Sequence, residues 1–197
     1  RGLHSNRVGD LGPVYGHQWR HFNAPYESCD SDYHGKGVDQ LGDIIKTLKD
    51  PTQRSSRRLV MSAWNPEQLN EMALPPCHVM VQFNVRGGKY LSCALYQRSG
   101  DVGLGVPFNI ASYSFLTHIL ARHCDLVADE FVYFLGNAHI YEDHIEPLRK
   151  QIQMVPYEFP KLTIREKYED IEQYSLDDIE WDSKYIHHGT IKMNMVT

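Results

Sequence analysis

The sequence predicts an α+β fold, with one domain spanning residues 1–197. Alternating apolar and polar residues on both sides of Gly87-Gly88 predict a β-hairpin, and stretches before and after it carry apolar residues at helical spacing. No internal repeat and no flexible linker divides the chain. A chain of this length is sufficient for one large domain, so we expect a single core.

Composition and charge set the broad class of protein. Hydrophobic residues make up 42% of the chain, and 20 Lys+Arg against 25 Asp+Glu give a formal charge of -5. This composition excludes disorder over most of the chain, and no apolar run approaches the roughly 18–20 residues of a membrane helix. The mild acidity argues against DNA binding. We therefore expect neither a membrane nor DNA as a partner.

The cysteines and the start of the chain indicate a cytoplasmic protein. Residues 1–7 lack the apolar segment of a signal peptide, and four cysteines in a chain of this length do not suggest a disulfide framework. The chain does not begin with Met, so we expect the natural N-terminus to lie upstream. The four cysteines are Cys29, Cys77, Cys93 and Cys124.

Local patterns predict the elements of the first half. Residues 8–37 are rich in Gly, Pro, Tyr and His without a helical period, which predicts ordered loop and short strand. The apolar spacing over residues 38–48 predicts an amphipathic helix that ends at Asp50-Pro51. A strand over residues 59–64 follows, and Pro66 then opens a short helix.

The predicted hairpin is followed by a loop and a helix. Its strands cover residues 79–85 and 90–97, and the Gly-rich residues 99–107 predict a loop. A helical stripe begins at Asn109 or Ile110 and ends at Cys124.

The last third contains a strand, a helix and an acidic stretch. Residues 131–135 predict the strand and residues 143–154 the helix. Seven acidic and no basic residues over 169–182 predict a solvated edge. We expect three inward positions in the helix, namely Ile145, Leu148 and Ile152.

Cys77 is a candidate nucleophile. Free cysteine, with a pKa of about 8.5, is mostly protonated at neutral pH and needs a positive neighbour to ionise. Pro75-Pro76 fixes the backbone before Cys77, His78 follows it, and Arg98 comes just after the return strand of the hairpin. A buried structural cysteine at a strand start is the commoner explanation of such a residue. Cys93 and Cys124 fit a core.

A basic cluster formed by Arg54, Arg57 and Arg58 is a candidate phosphate site. Guanidinium groups bind phosphate oxygens bidentately, so three arginines beside a strand could hold a nucleotide. In isolation, a solvated turn explains the same three residues.

Two further segments carry polar groups suited to a ligand. Within residues 97–101, Arg98 and Ser99 could bind an anion and Asp101 could accept from an N–H-rich heterocycle, although a polar turn explains them too. Asn109 offers a donor and an acceptor that match the N3–H and O4 edge of uracil, and it also suits a helix N-cap.

Two other kinds of site are disfavoured. Gly103-Leu104-Gly105 is not a dinucleotide fingerprint, because Phe108 stands where a third glycine is needed. The histidine pairs 118/123 and 139/144 are five residues apart and do not form an i, i+4 ligand pair. We therefore expect no metal.

The order of the motifs is more specific than any single motif. Together they closely resemble thymidylate synthase from Gly9 to the end of the chain, and most closely its animal-type or large-virus members. The motifs are Gly9–Gly16 (GDLGPVYG), Ser56-Arg57-Arg58, Ala63-Trp64-Asn65, Met72–His78 (MALPPCH), Tyr96–Asp101 (YQRSGD), Leu104–Tyr113 (LGVPFNIASY), His139-Ile140-Tyr141 and Pro160-Lys161-Leu162.

This resemblance implies reductive methylation of dUMP to dTMP, with 5,10-methylenetetrahydrofolate as one-carbon donor and reductant. It implies a twisted mixed β-sheet with flanking helices and a sheet face that forms a homodimer interface. Cys77 matches the nucleophile that adds to C6 of uracil, and Arg98 would lie near the thiolate. Tyr15 matches the tyrosine of the proton-abstraction network at C5, and His78 the neighbour of the cysteine.

The resemblance also assigns binding residues. For dUMP they are Arg57, Arg58, Arg98, Ser99, Asp101, Asn109, His139 and Tyr141. Arg57 and Arg58 match the pair that reaches the partner subunit's phosphate site, and Asn109 the amide that contacts uracil. The residues implied around the folate are Asp101, Leu74, Leu104, Gly105 and Phe108.

Some positions depart from the family pattern. Asn137 replaces a usual acid, and residues 185–190 differ from the family's Asn-Pro-His-Pro-type run in a tail that closes over folate. Thr197 stands where a small apolar residue is usual. We expect the family's N-terminal part, with an arginine of the phosphate loop, a glutamate and tryptophans of the site, to be missing. The chain is then an N-terminally truncated catalytic domain.

Two alternatives stay open on these residues. One is a catalytically impaired nucleotide-binding fragment or paralogue, which the departures favour and intact Cys77 and Arg98 oppose. The other is a dCMP hydroxymethylase-like enzyme. Such relatives carry Asp where this chain has Asn109, and a site built on hydrogen bonds rejects the wrong donor pattern.

Overall fold

The computed structural model describes residues 9–196, so the predictions on residues 1–7 and Thr197 lie outside it. Its helices and strands are α1 (Tyr15–His21), α2 (Gln40–Lys49), β1 (Val60–Ser62), β2 (His78–Arg86), β3 (Tyr90–Asp101), α3 (Gly105–His123), β4 (Val127–His139), α4 (Ile145–Gln151), β5 (Leu162–Ile164) and β6 (Ile179–Trp181). Single 3-10 turns cover Leu69–Glu71, Glu142–His144, Ile171–Gln173 and Leu176–Asp178. Within the described residues, no helix combines the length and apolarity needed to span a bilayer.

The main sheet is mixed and has the strand order β1-β2-β3-β4. Its first three strands pair antiparallel, whereas β3 and β4 run parallel with α3 as the crossover between them. Gly87 and Gly88, with φ of 58° and 66°, form the tight turn between β2 and β3. Strands β5 and β6 form a separate antiparallel pair. The predicted α+β class, mixed sheet and hairpin are confirmed.

One face of the sheet forms the hydrophobic core. Alternate residues of β2 and β3 point to this face, where α2 and α3 pack against them. Cys93 and Cys124 are buried there, as predicted. The residues that the two strands contribute to this core are Val81, Phe83, Val85, Leu91, Cys93 and Leu95.

Replacing Phe83 by alanine is expected to destabilise the fold by about 3–5 kcal/mol, because Phe83 is fully buried in this core. Urea unfolding followed by circular dichroism measures the change. Phe159→Ala is the matched control, since the Phe159 side chain is 90% exposed and should matter little. Equal effects of the two substitutions would contradict this view of the core.

The opposite sheet face exposes apolar side chains. Met80 pairs with Tyr96 on β3, and Tyr96 pairs in turn with Phe134 on β4, so the three lie side by side. Their exposed fractions are 41%, 44% and 56%, and Val60 on β1, which pairs with Gln82, is a further exposed apolar residue at 38%. Rows of this kind typify surfaces that contact another protein.

Three local predictions near the start and middle of the chain are wrong. Residues 8–37 contain helix α1, whose one buried residue is the polar Gln18, so no apolar stripe marks it. Residues 99–101 belong to β3 rather than to a loop, because β4 pairs with them. Helix α3 therefore starts at Gly105, and Asn109 lies inside it rather than at its N-cap.

Two predictions in the last third also need correction. Ile145 and Ile152 are 38% and 81% exposed, because none of the described elements covers that side of α4. In the acidic stretch Asp178 is buried, since its carboxylate accepts hydrogen bonds from Ser175 and from the Tyr168 hydroxyl. The other six acidic residues of the stretch are exposed, as expected.

Candidate active site

Cys77 lies immediately before β2, beside the end of β3. The antiparallel register pairs His78 with Gln97, and the Arg98 N–H donates to the Cys77 carbonyl at 2.9 Å. The strand pairing predicted from the sequence thus places Cys77 next to Arg98. The thiol of Cys77 is free and its residue is half-buried.

The Arg98 guanidinium group is held by the loop that precedes Cys77. Its Nε donates to the carbonyl of Pro76 and its Nη2 to the carbonyl of Pro75, both at 2.9 Å. Its central carbon lies 5.6 Å from the centre of the Trp64 ring. The site therefore contains a cation in a fixed orientation, and that same cation holds the backbone next to the thiol.

Tyr15, at the start of α1, binds the backbone at Cys77 through its hydroxyl. Its hydroxyl accepts from the N–H of Cys77 at 2.8 Å and from the N–H of His78 at 3.4 Å. Burial raises the pKa of Tyr15, and the negative charge of a Cys77 thiolate raises it further. The hydroxyl therefore keeps its proton at neutral pH and can donate a hydrogen bond into the site.

The His78 ring is packed between two tyrosines. Its centre lies 5.0 Å from that of Tyr15 and 5.1 Å from that of Tyr113, whose hydroxyl lies 3.0 Å from His78 Nδ1. Burial lowers the pKa of His78, which favours the neutral ring. His78 thus serves as a neutral hydrogen-bonding group next to the cysteine.

A buried hydrogen-bond network orients Asn109. Gln97, 2% exposed, donates through Nε2 to Asn109 Oδ1 at 2.9 Å and to the Ser99 carbonyl at 2.8 Å. The Tyr133 hydroxyl donates to Gln97 Oε1 at 2.7 Å. Because Gln97 holds the Asn109 oxygen, the amide of Asn109 has a fixed direction. Burial raises the pKa of Tyr133, and the charge of a Cys77 thiolate raises it further, so this network borders the nucleophile.

Sequence reasoning missed Gln97, Tyr113 and Tyr133 as individual site residues. Gln97 continues the inward alternation of Cys93 and Leu95 but is polar, and a polar residue at an inward position needs buried partners. This polar residue at an inward position is the feature of the sequence that indicates a buried hydrogen-bond network. Tyr113 belongs to the hydrophobic core, and its hydroxyl lies next to His78 as well.

Asp101 ends β3 and accepts from the first residues of the next loop. Its carboxylate takes hydrogen bonds from the N–H of Gly103 at 2.9 Å and of Leu104 at 3.3 Å. A Cβ added at Gly105 would lie 3.6 Å from the Asp101 side chain and 3.8 Å from Asn109 Oδ1. Gly105 therefore lies between these two polar groups, which face the same space.

The predicted apolar residues of the folate site differ in their surroundings. Leu104 and Gly105 lie next to Asp101, whereas Phe108 is 73% exposed on the first turns of α3. Leu74 is 52% exposed in the loop before Pro75. Exposed apolar side chains such as those of Leu74 and Phe108 suit packing against a flat heterocycle.

His139 and Tyr141 lie at the same sheet edge as Asp101. His139 pairs with Asp101 across β3 and β4, and its ring centre is 5.3 Å from that of Tyr141. His139 Nδ1 lies 3.1 Å from the side-chain oxygen of Asn137, which in turn pairs with Ser99. The structure thus brings together residues predicted from two separate motifs.

Arg57 and Arg58 stand apart from this cluster. Both are exposed in the turn before β1. The β1–β2 register places Arg58 near Asn84, seven strand positions from Cys77, or roughly 23 Å at the rise of a β-strand. Within the described residues, no group of three or more His, Cys, Asp or Glu side chains could hold a metal ion.

The geometry combines a thiol, a fixed cation, an oriented amide and a carboxylate at one sheet edge. A thiol placed beside an arginine and a tyrosine hydroxyl can add to an electron-poor carbon, while the amide holds a planar ring by its edge. The thiol, the cation, the amide and the carboxylate are thus groups suited to covalent chemistry on a heterocycle.

Comparison with known proteins agrees with this chemistry. The thymidylate synthase family model matches residues 3–197. Thymidylate synthase of Homo sapiens is 53% identical over 194 residues, covering 98% of this chain and 61% of the human protein. Thymidylate synthase of Saccharomyces cerevisiae is 50% identical over 202 residues, covering 98% of this chain and 66% of the yeast protein. That of Human herpesvirus 8 type P is 53% identical over 195 residues, covering 99% of this chain and 57% of the viral protein. The chain spans between 32% and 66% of the length of the curated relatives it matches. The chain belongs to the thymidylate synthase family.

Proposed function

We propose that the protein containing this chain is a thymidylate synthase that converts dUMP to dTMP, with 5,10-methylenetetrahydrofolate as cosubstrate and dihydrofolate as product. The observation that carries the proposal is Cys77, set between the Tyr15 hydroxyl and the backbone of Arg98 in a chain of this family. The names of the relatives support the same activity.

In the proposed reaction Cys77 acts as the nucleophile. Its sulfur adds to C6 of the uracil ring, the C5–C6 π electrons move toward O4, and C5 becomes the carbon that attacks the one-carbon unit. Arg98 provides a fixed positive charge beside the loop of Cys77, and Tyr15 holds the backbone at the thiol. Because the Tyr15 hydroxyl keeps its proton, it can take part in proton transfer near C5.

Recognition of dUMP is assigned to groups around the thiol. Asn109, oriented by Gln97, presents its amide to the N3–H and O4 edge of the base. Arg98 and Ser99 contact the phosphate, and His139 and Tyr141 donate to the sugar hydroxyl.

The folate supplies a one-carbon unit and the hydride that reduces it. Asp101 would bind the N–H groups of the pterin, while Leu74, Leu104, Gly105 and Phe108 surround its rings. The exposed apolar side chains of Leu74 and Phe108 fit this role, because a bound ring system would cover them.

A homodimer would complete the phosphate site. The sheet face that carries Met80, Tyr96 and Phe134 is apolar and exposed, which supports its role as the interface. Arg58 lies too far from Cys77 to reach the same chain's site. Pairing of two sheet faces would let Arg57 and Arg58 contact the phosphate in the partner's site.

The test of this function is release of tritium from C5 of labelled dUMP. We expect the full-length protein to release tritium only when methylenetetrahydrofolate is present, since exchange at C5 requires the thiol adduct and the cosubstrate together. C5-labelled dCMP is the control for base selectivity. Absence of release from dUMP, or release from dCMP alone, would overturn the proposal.

A further inference from the structure

Tyr133 is a half-buried residue to which the proposed reaction gives no role. It lies on β4, where it pairs with Leu95 of β3, and its hydroxyl lies 2.7 Å from Gln97 Oε1. Because Gln97 is 2% exposed, its amide oxygen needs a donor from the protein. A Cβ added at Gly100 would lie 3.2 Å from Gln97 Nε2, so the amide occupies space that the glycine leaves free. Tyr133 therefore supplies a hydrogen bond to a closely packed, buried amide.

A backbone carbonyl fixes which end of the Gln97 amide is the nitrogen. One end lies 2.8 Å from the Ser99 carbonyl oxygen, which can only accept, so this end must be Nε2. The other end is then Oε1, and the Tyr133 hydroxyl that faces it must donate. The second proton of Nε2 goes to Asn109 Oδ1 at 2.9 Å. In this relay, defined here as Tyr133, Gln97 and Asn109, each side chain donates to the next.

The direction of the relay decides which end of the Asn109 amide a base meets. Because Oδ1 faces Gln97, Nδ2 is the end that remains to donate to a ligand. At position 4 of a pyrimidine, uracil offers an oxygen that accepts, whereas cytosine offers an amine that donates. Nδ2 thus binds uracil there and opposes cytosine, since two donors form no hydrogen bond. A turned Asn109 amide would reverse this preference.

We propose that Tyr133 is a positioning residue for the choice of base: its hydroxyl keeps Gln97 in place, and Gln97 keeps Asn109 turned for uracil. Without the hydroxyl, Gln97 Oε1 is a buried acceptor with no donor, and leaving such a group unpaired is costly. Gln97 then moves to reach another donor, and the Asn109 amide is free to turn. The effect on dUMP rests on the proposed function, in which Asn109 binds the base.

The first test measures the Gln97 amide by NMR in the full-length protein without substrates. In Tyr133→Phe, we expect the two side-chain amide protons of Gln97 to exchange with solvent about tenfold faster, the factor for one lost hydrogen bond. Tyr168→Phe is the matched control, because the Tyr168 hydroxyl also donates a hydrogen bond, but to Asp178 instead of Gln97. It should leave the exchange rate within about twofold. An unchanged rate in Tyr133→Phe, or the same increase in Tyr168→Phe, would overturn the proposal.

The second test measures the choice of base by calorimetric titration, which needs no turnover. In Tyr133→Phe, we expect Kd for dUMP to rise about tenfold and Kd for dCMP to stay within about twofold, so that discrimination between them falls about tenfold. The compound 2-deoxyribose 5-phosphate, which has the sugar and the phosphate but no base, should bind the variant and the natural protein equally. Equal changes in Kd for dUMP and for this sugar phosphate would contradict a role in base selection.

A double-variant experiment tests whether Tyr133 acts through Gln97. Gln97→Met removes both ends of the amide in a side chain of similar length, and it should also lower the discrimination between dUMP and dCMP about tenfold. Adding Tyr133→Phe to Gln97→Met should then change the discrimination by less than about twofold, since the hydroxyl has already lost its acceptor. A further tenfold loss in the double variant would contradict the relay. If the natural protein binds no dUMP, the proposed function fails, whereas the exchange experiment still decides whether Tyr133 holds Gln97.

Discussion

Cys77→Ser is expected to lower turnover of dUMP by a factor on the order of 10⁴ or more, as losses of catalytic nucleophiles do. A serine hydroxyl is a far weaker nucleophile than a thiolate, so the bond to C6 does not form. Binding of dUMP should remain, because Arg98, Ser99 and Asn109 are untouched. Formation of dihydrofolate measures the turnover, and calorimetric titration with dUMP measures the binding.

Cys29→Ser is the control for this experiment. Cys29 is an exposed thiol in the loop before α2, and its removal should leave turnover within about twofold of the natural value. Turnover that persists in Cys77→Ser would remove Cys77 from the mechanism. A comparable loss in Cys29→Ser would show that the effect is not specific to the site.

Mixing an Arg58→Ala chain with a Cys77→Ser chain is expected to restore activity to about a quarter of that of the natural dimer. Each variant alone should be nearly inactive. Random pairing makes half of the dimers mixed, and one site of each mixed dimer then combines an intact Cys77 with an intact Arg58 from the other chain. The measurement is dihydrofolate formation after refolding of equal amounts of the two chains.

In the control mixture, an Arg98→Ala chain takes the place of the Arg58→Ala chain. Arg98 and Cys77 lie in the same chain's site, so mixing those two variants leaves every site defective and no activity returns. Native mass spectrometry establishes that mixed dimers have formed. No recovery with Arg58→Ala, despite mixed dimers, would contradict the proposed contact across the interface.

Local sequence patterns predicted the part of the fold that holds the nucleophile. The alternation on both sides of Gly87-Gly88 predicted the β2–β3 hairpin, and this hairpin alone brings Cys77 next to Arg98. Helix α2 was predicted because its buried residues are apolar and follow the helical period. Where the local period and the tertiary structure agree, the sequence is sufficient.

The remaining elements depend on partners distant in the chain. Helix α1 buries Gln18, which donates to the Pro13 carbonyl and to Gln68, so polar contacts stabilise it instead of an apolar face. The end of β3 at Asp101 exists because β4 pairs with it, and local sequence does not show that pairing.

The parallel pairing of β3 with β4 also has a consequence for the order in which the chain assembles during synthesis. Strand β3 can join β2 as soon as the hairpin has left the ribosome, because only a tight turn separates them. Its other edge stays open until all of α3 and β4 have been made. An open edge beside an apolar sheet face is prone to pair with another chain. We therefore expect closure by β4 to be the slow step of folding and the period before it to be the time of greatest aggregation risk.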